Sequence, residues 1–403
     1  MANFPVHKNS ILRDRLDNLV RGDRENSAPL DVVVTPGEIN DRHGTGPLVK
    51  RIMKGRRGVC SVRARDDWGH QNFGDWNVKI AQEGFSRPEC FRNVLRVFSG
   101  RRVASVLCVP FLEDDLITSI VLKEAFGAIL CGYVMDDQNV SVSKVPDALM
   151  REFLEKCSLR LATHPELQYE YQRKFGLPFS LLPAVVPDAL ISGDASVPEE
   201  LGREHGALIG SFWDQMWFDR LCAELSQCQC RIDWYGNNQS PWLKFPPEVM
   251  ESAGVTAKGL IPESRLAAEL RRYSFVIVPV GILNQSDGNQ GIAALSLPGR
   301  ILFAAATSRT PILIVGSQDT CGARFVKHFG IGEVAPYDAP RIAAAMDRLS
   351  DPAVQRTMRA NAGRMAAFSD SGVVDWLAAS IAQGLPADSR FEDAFAGYSA
   401  ALR

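Results

Sequence analysis

The stretch DGNQGIAALSLPGRILFAAATSRTPILIVG, Asp287 to Gly316, sets the reading of the whole chain. It runs from a polar, glycine-bearing loop into a helix opening at Ser296-Leu297-Pro298-Gly299-Arg300, and it ends in a buried strand, Pro311 to Val315. A helix with Ser at its cap and Pro in its first turn leaves several backbone N–H groups unpaired and pointing outward. Those donors and the positive end of the helix dipole favour an anion, and Arg300 adds a planar cation beside them. Taken alone, the stretch reads as readily as a loop, a cap and a buried helix. Its surroundings decide.

Upstream, strand-like and helix-like segments alternate. Leu30–Thr35 is a short continuous apolar run, the pattern of a strand buried on both faces. Further strands are expected at 58–64, 102–112, 127–135, 159–163 and 179–185. Helices are expected at about 47–54 and over 115–126, 146–156 and 165–175. Residues 186–205 break the pattern with Pro, Gly and charge, and the alternation then restarts. Strands at 207–212, 231–235, 256–261, 275–280, 311–315 and 333–335 carry helices at 215–227, 263–273 and 320–328 between them. Helices at 339–349, 353–368 and 373–383 and a frayed tail close the chain.

Parallel neighbours need a crossover helix, so each half predicts an α/β doubly wound sheet. The division is a helical extension over 1–29, a first Rossmann-like domain over 30–187, a linker over 188–205, a second domain over 206–385 and a tail over 386–403. In such sheets ligands bind outside the carboxyl ends of the strands.

The 403 residues are 46% hydrophobic and 23% charged, an ordinary composition with room for two domains of ~150–200 residues. A formal net charge of -2 gives no global pull toward nucleic acid. Neither an apolar run of ~20 residues nor the apolar core of a signal peptide is present, which points to a cytoplasmic chain. An odd count of 9 cysteines without a paired framework fits reduced thiols. Cys228 and Cys230 form the closest pair, but no second pair or His cluster completes a zinc site.

Several familiar motifs are missing. There is no G-x-G-x-x-G after a strand, no Walker loop and no G-x-S-x-G elbow, which argues against nicotinamide enzymes, P-loop NTPases and acyl hydrolases. His43-Gly44-Thr45-Gly46 follows the first strand; its backbone is open to a diphosphate, and a simple turn explains it equally. Ser211, at a strand end, reads as a phosphate contact or a turn residue. Asp136-Asp137-Gln138 closes a strand at the lip of the crevice, where carboxylates bind sugar hydroxyls or cap a helix. His164-Pro165 reads first as a helix cap. The basic run Lys50–Arg57 suits a solvated face, an anionic membrane surface or a phosphate-bearing acceptor. Asp287, Asn289 and Gln290 supply the bidentate amide and carboxylate groups that hydroxyl-rich ligands need.

With these residues laid out, the chain resembles the GT-B glycosyltransferases, specifically the retaining, nucleotide-sugar-dependent group that includes many bacterial polysaccharide enzymes. The resemblance is carried by HGTG (43–46), LATHPELQYEYQRKFGLPFSLLPAVVP (161–187), GLIPESRLAAELRRYSFVIVPV (259–280) and SLPGRILFAAATSRTPILIVG (296–316). It implies two Rossmann-like domains facing a central cleft, with the C-terminal helices packing back toward the first domain. It also implies a nucleotide-diphosphate sugar as co-substrate, no other cofactor and no metal. Ser296, Gly299 and Arg300 would hold the diphosphate, with Ser211 as a further contact and Gly44, Thr45 and Gly46 on its far side. Asp287, Asn289 and Gln290 would meet the donor sugar, with Arg300 and Asp287 in catalytic roles. His43, Asp136 and Asp137 would serve a glycan, lipid-linked or small-molecule acceptor.

The sequence departs from the resemblance in two places. Phe303 and Ala304 stand where many relatives carry a carboxylate, and residues 211–220 hold no Lys. The expected reaction is sugar transfer with retention at the anomeric carbon, by a cytoplasmic enzyme in peripheral contact with the membrane at most. Two alternatives remain: a non-catalytic sugar-nucleotide-binding protein, and a nucleotide-sugar epimerase that would draw on His43 and His164.

Overall fold

The computed structural model describes residues 28–70, 73–80, 86–212, 214–238, 243–283 and 290–402. The helical extension expected over 1–29 falls almost wholly outside them, as do Asp287 and Asn289.

The first domain is a seven-stranded sheet in the order β3-β2-β1-β4-β5-β6-β7. Its strands are β1 Leu30–Thr35, β2 Val59–Arg63, β3 Trp76–Lys79, β4 Val103–Cys108, β5 Ile129–Val134, β6 Leu159–Ala162 and β7 Ser180–Leu181. Every neighbouring pair is parallel. The second domain repeats the plan with six strands in the order β10-β9-β8-β11-β12-β13. These are β8 Gly206–Ile209, β9 Ile232–Tyr235, β10 Val255–Ala257, β11 Phe275–Pro279, β12 Ile312–Val315 and β13 Gly332–Ala335, again all parallel. The apolar runs become these strands because helices cover both faces, so every position in β8, β11 and β12 is buried.

Strand order reverses between β1 and β4 in one sheet and between β8 and β11 in the other. Each reversal sends the connections to opposite faces and opens a crevice beyond the strand ends. One apolar cluster joins the two domains, running from Val33 and Tyr133 through Leu182 and Val185 to Ile301, Phe325 and Phe395.

Three local expectations change. Between the strands expected at 58–64 and 102–112, where the sequence suggests neither strand nor helix, the Trp-rich stretch contains the edge strand β3 and is followed by a helix over Arg87–Val97. The C-terminus is docked: helices Arg390–Ala394 and Ala396–Ala401 bury Phe391, Phe395 and Tyr398. That spacing places three large rings on one helical face, which cannot stay in water at low cost. The helix expected to open at Ser296 instead begins at Gly299, behind a separate short helix over Gln290–Leu295. Pro298 disfavours helical geometry at Leu297, so the chain turns there.

Candidate functional site

Arg300 occupies the reversal point of the second sheet. It lies in the first turn of the Gly299–Ser308 helix, with Pro298 at the cap position. Its Nη1 donates to the carbonyls of Ile209, at 3.0 Å, the last residue of β8, and Ser211, at 2.9 Å, just beyond it. Its Nη2 donates to the carbonyl of Pro279, at 3.2 Å, at the end of β11. The guanidinium thus straddles the two diverging strands and is balanced by carbonyl dipoles; among the described residues no carboxylate pairs with it. Burial pulls its pKa down to about 10, which leaves it a cation at neutral pH.

A half-buried arginine without a carboxylate, beside a helix N-terminus, is suited to an anion. Gly210 makes the approach possible: its φ is +85°, and a Cβ there would come within 2.8 Å of Arg300 Nη1. Ser211 meets Arg300 through its carbonyl, and its side chain is exposed. Ser296 is not a helix cap. Its amide bonds to the Ile292 carbonyl, and its side chain is buried.

The facing edge belongs to the first domain. His43 stacks on Trp68 with ring centroids 4.4 Å apart, and Phe111 from the end of β4 packs edge-on against it. Burial holds the His43 imidazole down to about 4, so it is neutral. Glu38 fixes the Trp68 loop by accepting the amides of Asp67 and Trp68, both at 2.9 Å. Gly44 is exposed with nothing within 4 Å of a Cβ, so it is the open member of the HGTG turn. Thr45 is buried, and Gly46 is needed for packing on the backbone of Asn40.

Asp136 and Asp137 diverge in role. Burial raises the Asp136 carboxyl to about 6. The Ser296 hydroxyl is buried without a hydrogen-bond partner among the described residues. Asp137 is committed inward: it accepts the amides of Asn139, at 3.0 Å, Val140, at 2.8 Å, and Ser141, at 2.6 Å, as well as the Tyr171 hydroxyl. That makes it a loop organiser, a correction to its reading as an acceptor ligand. Gln138, the third residue of that strand-closing run, has a buried side-chain amide with neither atom hydrogen-bonded among the described residues.

His164 is the cap of the Pro165–Phe175 helix; its Nδ1 accepts the Leu167 amide at 3.4 Å. Burial lowers its pKa to about 4 and keeps it neutral. Gln290 is exposed at the start of its helix. Next to it, Gly291 lies so close to the 136–141 loop that a Cβ would be 2.8 Å from the Ser141 carbonyl oxygen.

The basic run is largely committed. Lys50 pairs with Asp41, Arg56 with Asp31, and Arg51 bridges the domains to Glu263 and the Val185 carbonyl. Among the described residues no group of three His, Cys, Asp or Glu could hold a metal ion. Nor is any described helix long and apolar enough to cross a membrane. All 9 cysteines are free and buried.

Paired parallel sheets whose reversal points face one crevice define the GT-B fold, and the chain has it. Among solved structures it is similar to the Anabaena HepE protein in complex with UDP and glucose, at 13% identity and TM-score 0.61 over 88% of this chain and 100% of that one. It is also similar to the Burkholderia xenovorans α,α-trehalose-phosphate synthase (UDP-forming) in complex with glucose-6-phosphate, at 11% identity and TM-score 0.58 over 88% and 100%. WaaG, a glycosyltransferase involved in lipopolysaccharide biosynthesis, matches at 12% identity and TM-score 0.56 over 87% and 99%. No protein-family description matches the sequence, and no curated protein matches it.

Proposed function

We propose that this chain is a glycosyltransferase that moves a sugar from a nucleotide-diphosphate donor to a glycan, lipid-linked or small-molecule acceptor, with retention and without a metal. The observation that carries the reading is Arg300, a carboxylate-free cation held by three carbonyls at the β8/β11 reversal point. Fixed donors of this kind stabilise charge as it develops on a departing diphosphate, and they need little reorganisation. The N–H groups opening the Gly299–Ser308 helix add to that field.

The donor would lie against the second domain. The acceptor would approach from His43 and Asp136. A leaving phosphate that itself takes the acceptor proton accounts for a site in which His43 is neutral and stacked and His164 serves as a cap. The reaction is assigned to the cytoplasm, with any membrane contact peripheral.

A second reading is favoured by Phe303 and Ala304, which are buried and apolar where relatives of this kind place an acid. In that reading the fold binds sugar nucleotides without turning them over. Incubating the protein with a panel of nucleotide sugars and acceptors, and following products by mass spectrometry, separates the two. Transfer with the anomeric configuration kept supports the enzyme; binding with no product from any pair supports the second reading.

A further inference from the structure

Arg324 stands where three parts of the chain meet. It lies in the Cys321–Phe329 helix of the second domain, after β12. Its Nε donates at 3.0 Å to one carboxylate oxygen of Glu166, and its Nη2 donates to the other. Glu166 is in the first turn of the Pro165–Phe175 helix of the first domain and is buried. The same carboxylate accepts the hydroxyl of Tyr398 from the C-terminal helix. Beside it, Cys321 Sγ lies 3.6 Å from His164 Nδ1.

The guanidinium has two more bonds: Nη1 donates to the carbonyl of Asp319 in its own βα loop, and Nη2 also donates, at 3.0 Å, to the carbonyl of Ala294. Ala294 is in the last turn of the Gln290–Leu295 helix, two residues before Ser296. A pair that only locked the domains together would not need this contact. A planar fork can hold a carboxylate and a carbonyl at once, which a lysine cannot do with the same geometry.

We propose that Arg324 is a positioning residue: it ties the end of the Gln290–Leu295 helix to Glu166 and so holds that helix and the Ser296 turn against the first domain's 136–141 loop, which Gly291 already touches. Only its catalytic consequence rests on the nucleotide-sugar reading. Arg300 is anchored separately by the β8 and β11 carbonyls, so the diphosphate contact does not depend on Arg324. Loss of Arg324 should loosen the turn and leave nucleotide binding in place.

Hydrogen exchange on the full chain tests the link without any ligand. In Arg324→Ala, the amides from Ile292 to Leu297 should exchange about tenfold faster, while those of β12 and of the Gly299–Ser308 helix keep their protection. The Ser296 amide, bonded to the Ile292 carbonyl at 2.8 Å, is the reporter. Unchanged exchange at these amides, or a rise shared by the whole domain, overturns the proposal. If the alanine variant does not fold, Glu166→Gln keeps the shape, and the same local rise is expected and decisive.

In turnover assays, kcat should fall about a hundredfold while nucleoside-diphosphate affinity stays within about twofold. Arg324→Lys should not restore kcat. An undiminished kcat with a loosened turn refutes the positioning role. A wild-type protein that binds no nucleoside diphosphate refutes the functional reading and leaves the exchange result standing.

Discussion

Nη1 of Arg300 lies 2.9 Å from the carbonyl oxygen of Ser211, two residues beyond the end of β8. The contact places a cation of one βα unit over the end of a neighbouring strand, where the sheet reverses. A carbonyl orients the guanidinium without neutralising it. The positive charge therefore stays available to an incoming anion.

Arg300→Ala should lower nucleoside-diphosphate affinity by about 10- to 100-fold, the worth of one or two charge-assisted hydrogen bonds. The fold should persist, because no buried carboxylate is left unpaired. Calorimetry and circular dichroism on the same sample check both halves. Arg300→Lys should recover only part of the affinity, since a point charge cannot span the two strand ends.

Gly210→Ala attacks the same contact from the backbone. An L-residue at φ +85° is strained by about 1–3 kcal/mol, and its Cβ would displace Arg300 Nη1. A lower melting temperature together with weaker nucleotide binding is expected. Gly44→Ala, whose Cβ meets open space, should leave the melting temperature within about a degree.

Asp136 gives a pH signature. Its folded pKa of about 6 lies above the model-peptide value of 3.8, so the native state favours the protonated form. Its contribution to stability is present below about pH 4 and is lost as pH rises through 6. Asp136→Asn should therefore stabilise the protein at pH 7–8 by about 1–2 kcal/mol, allowing for partial exposure, and by little at pH 4. Urea midpoints at the two pH values test the sign. An equal shift at both would remove Asp136 as the titrating group.

Phe395→Ala should cost about 3–5 kcal/mol, because the ring is fully buried where the C-terminal helices meet the interdomain core. Thermal unfolding should report this as one lowered transition. If that segment were a frayed tail, the midpoint would not move.

Much of the architecture could be read from the order of short apolar runs. Leu30–Thr35 and Phe275–Pro279 are strands because parallel sheets covered on both faces select continuous Val and Ile. Trp76–Lys79 escaped because an edge strand alternates, and its burial pattern of half-buried and exposed residues resembles a loop in composition. Arg300 was singled out by its place at a helix opening, and Asp136 by its place after a strand. The role of Asp137 could not be read there, since a carboxylate that turns back on its own loop amides leaves no pattern in sequence. Ser296 misled through the Ser-x-Pro pattern, in which Pro298 both starts the next helix and ends the preceding one. The Glu166–Arg324 pair spans 158 residues, and no local pattern announces it.

The account stands on an anion site at Arg300. Isothermal titration of the wild-type protein and Arg300→Ala against a panel of nucleoside diphosphates, with the matching nucleosides as controls, tests it most directly. Saturable binding of at least one diphosphate, absent for its nucleoside and weakened at least about tenfold by the substitution, is predicted. Equal binding of diphosphate and nucleoside, or an affinity indifferent to Arg300, would contradict it.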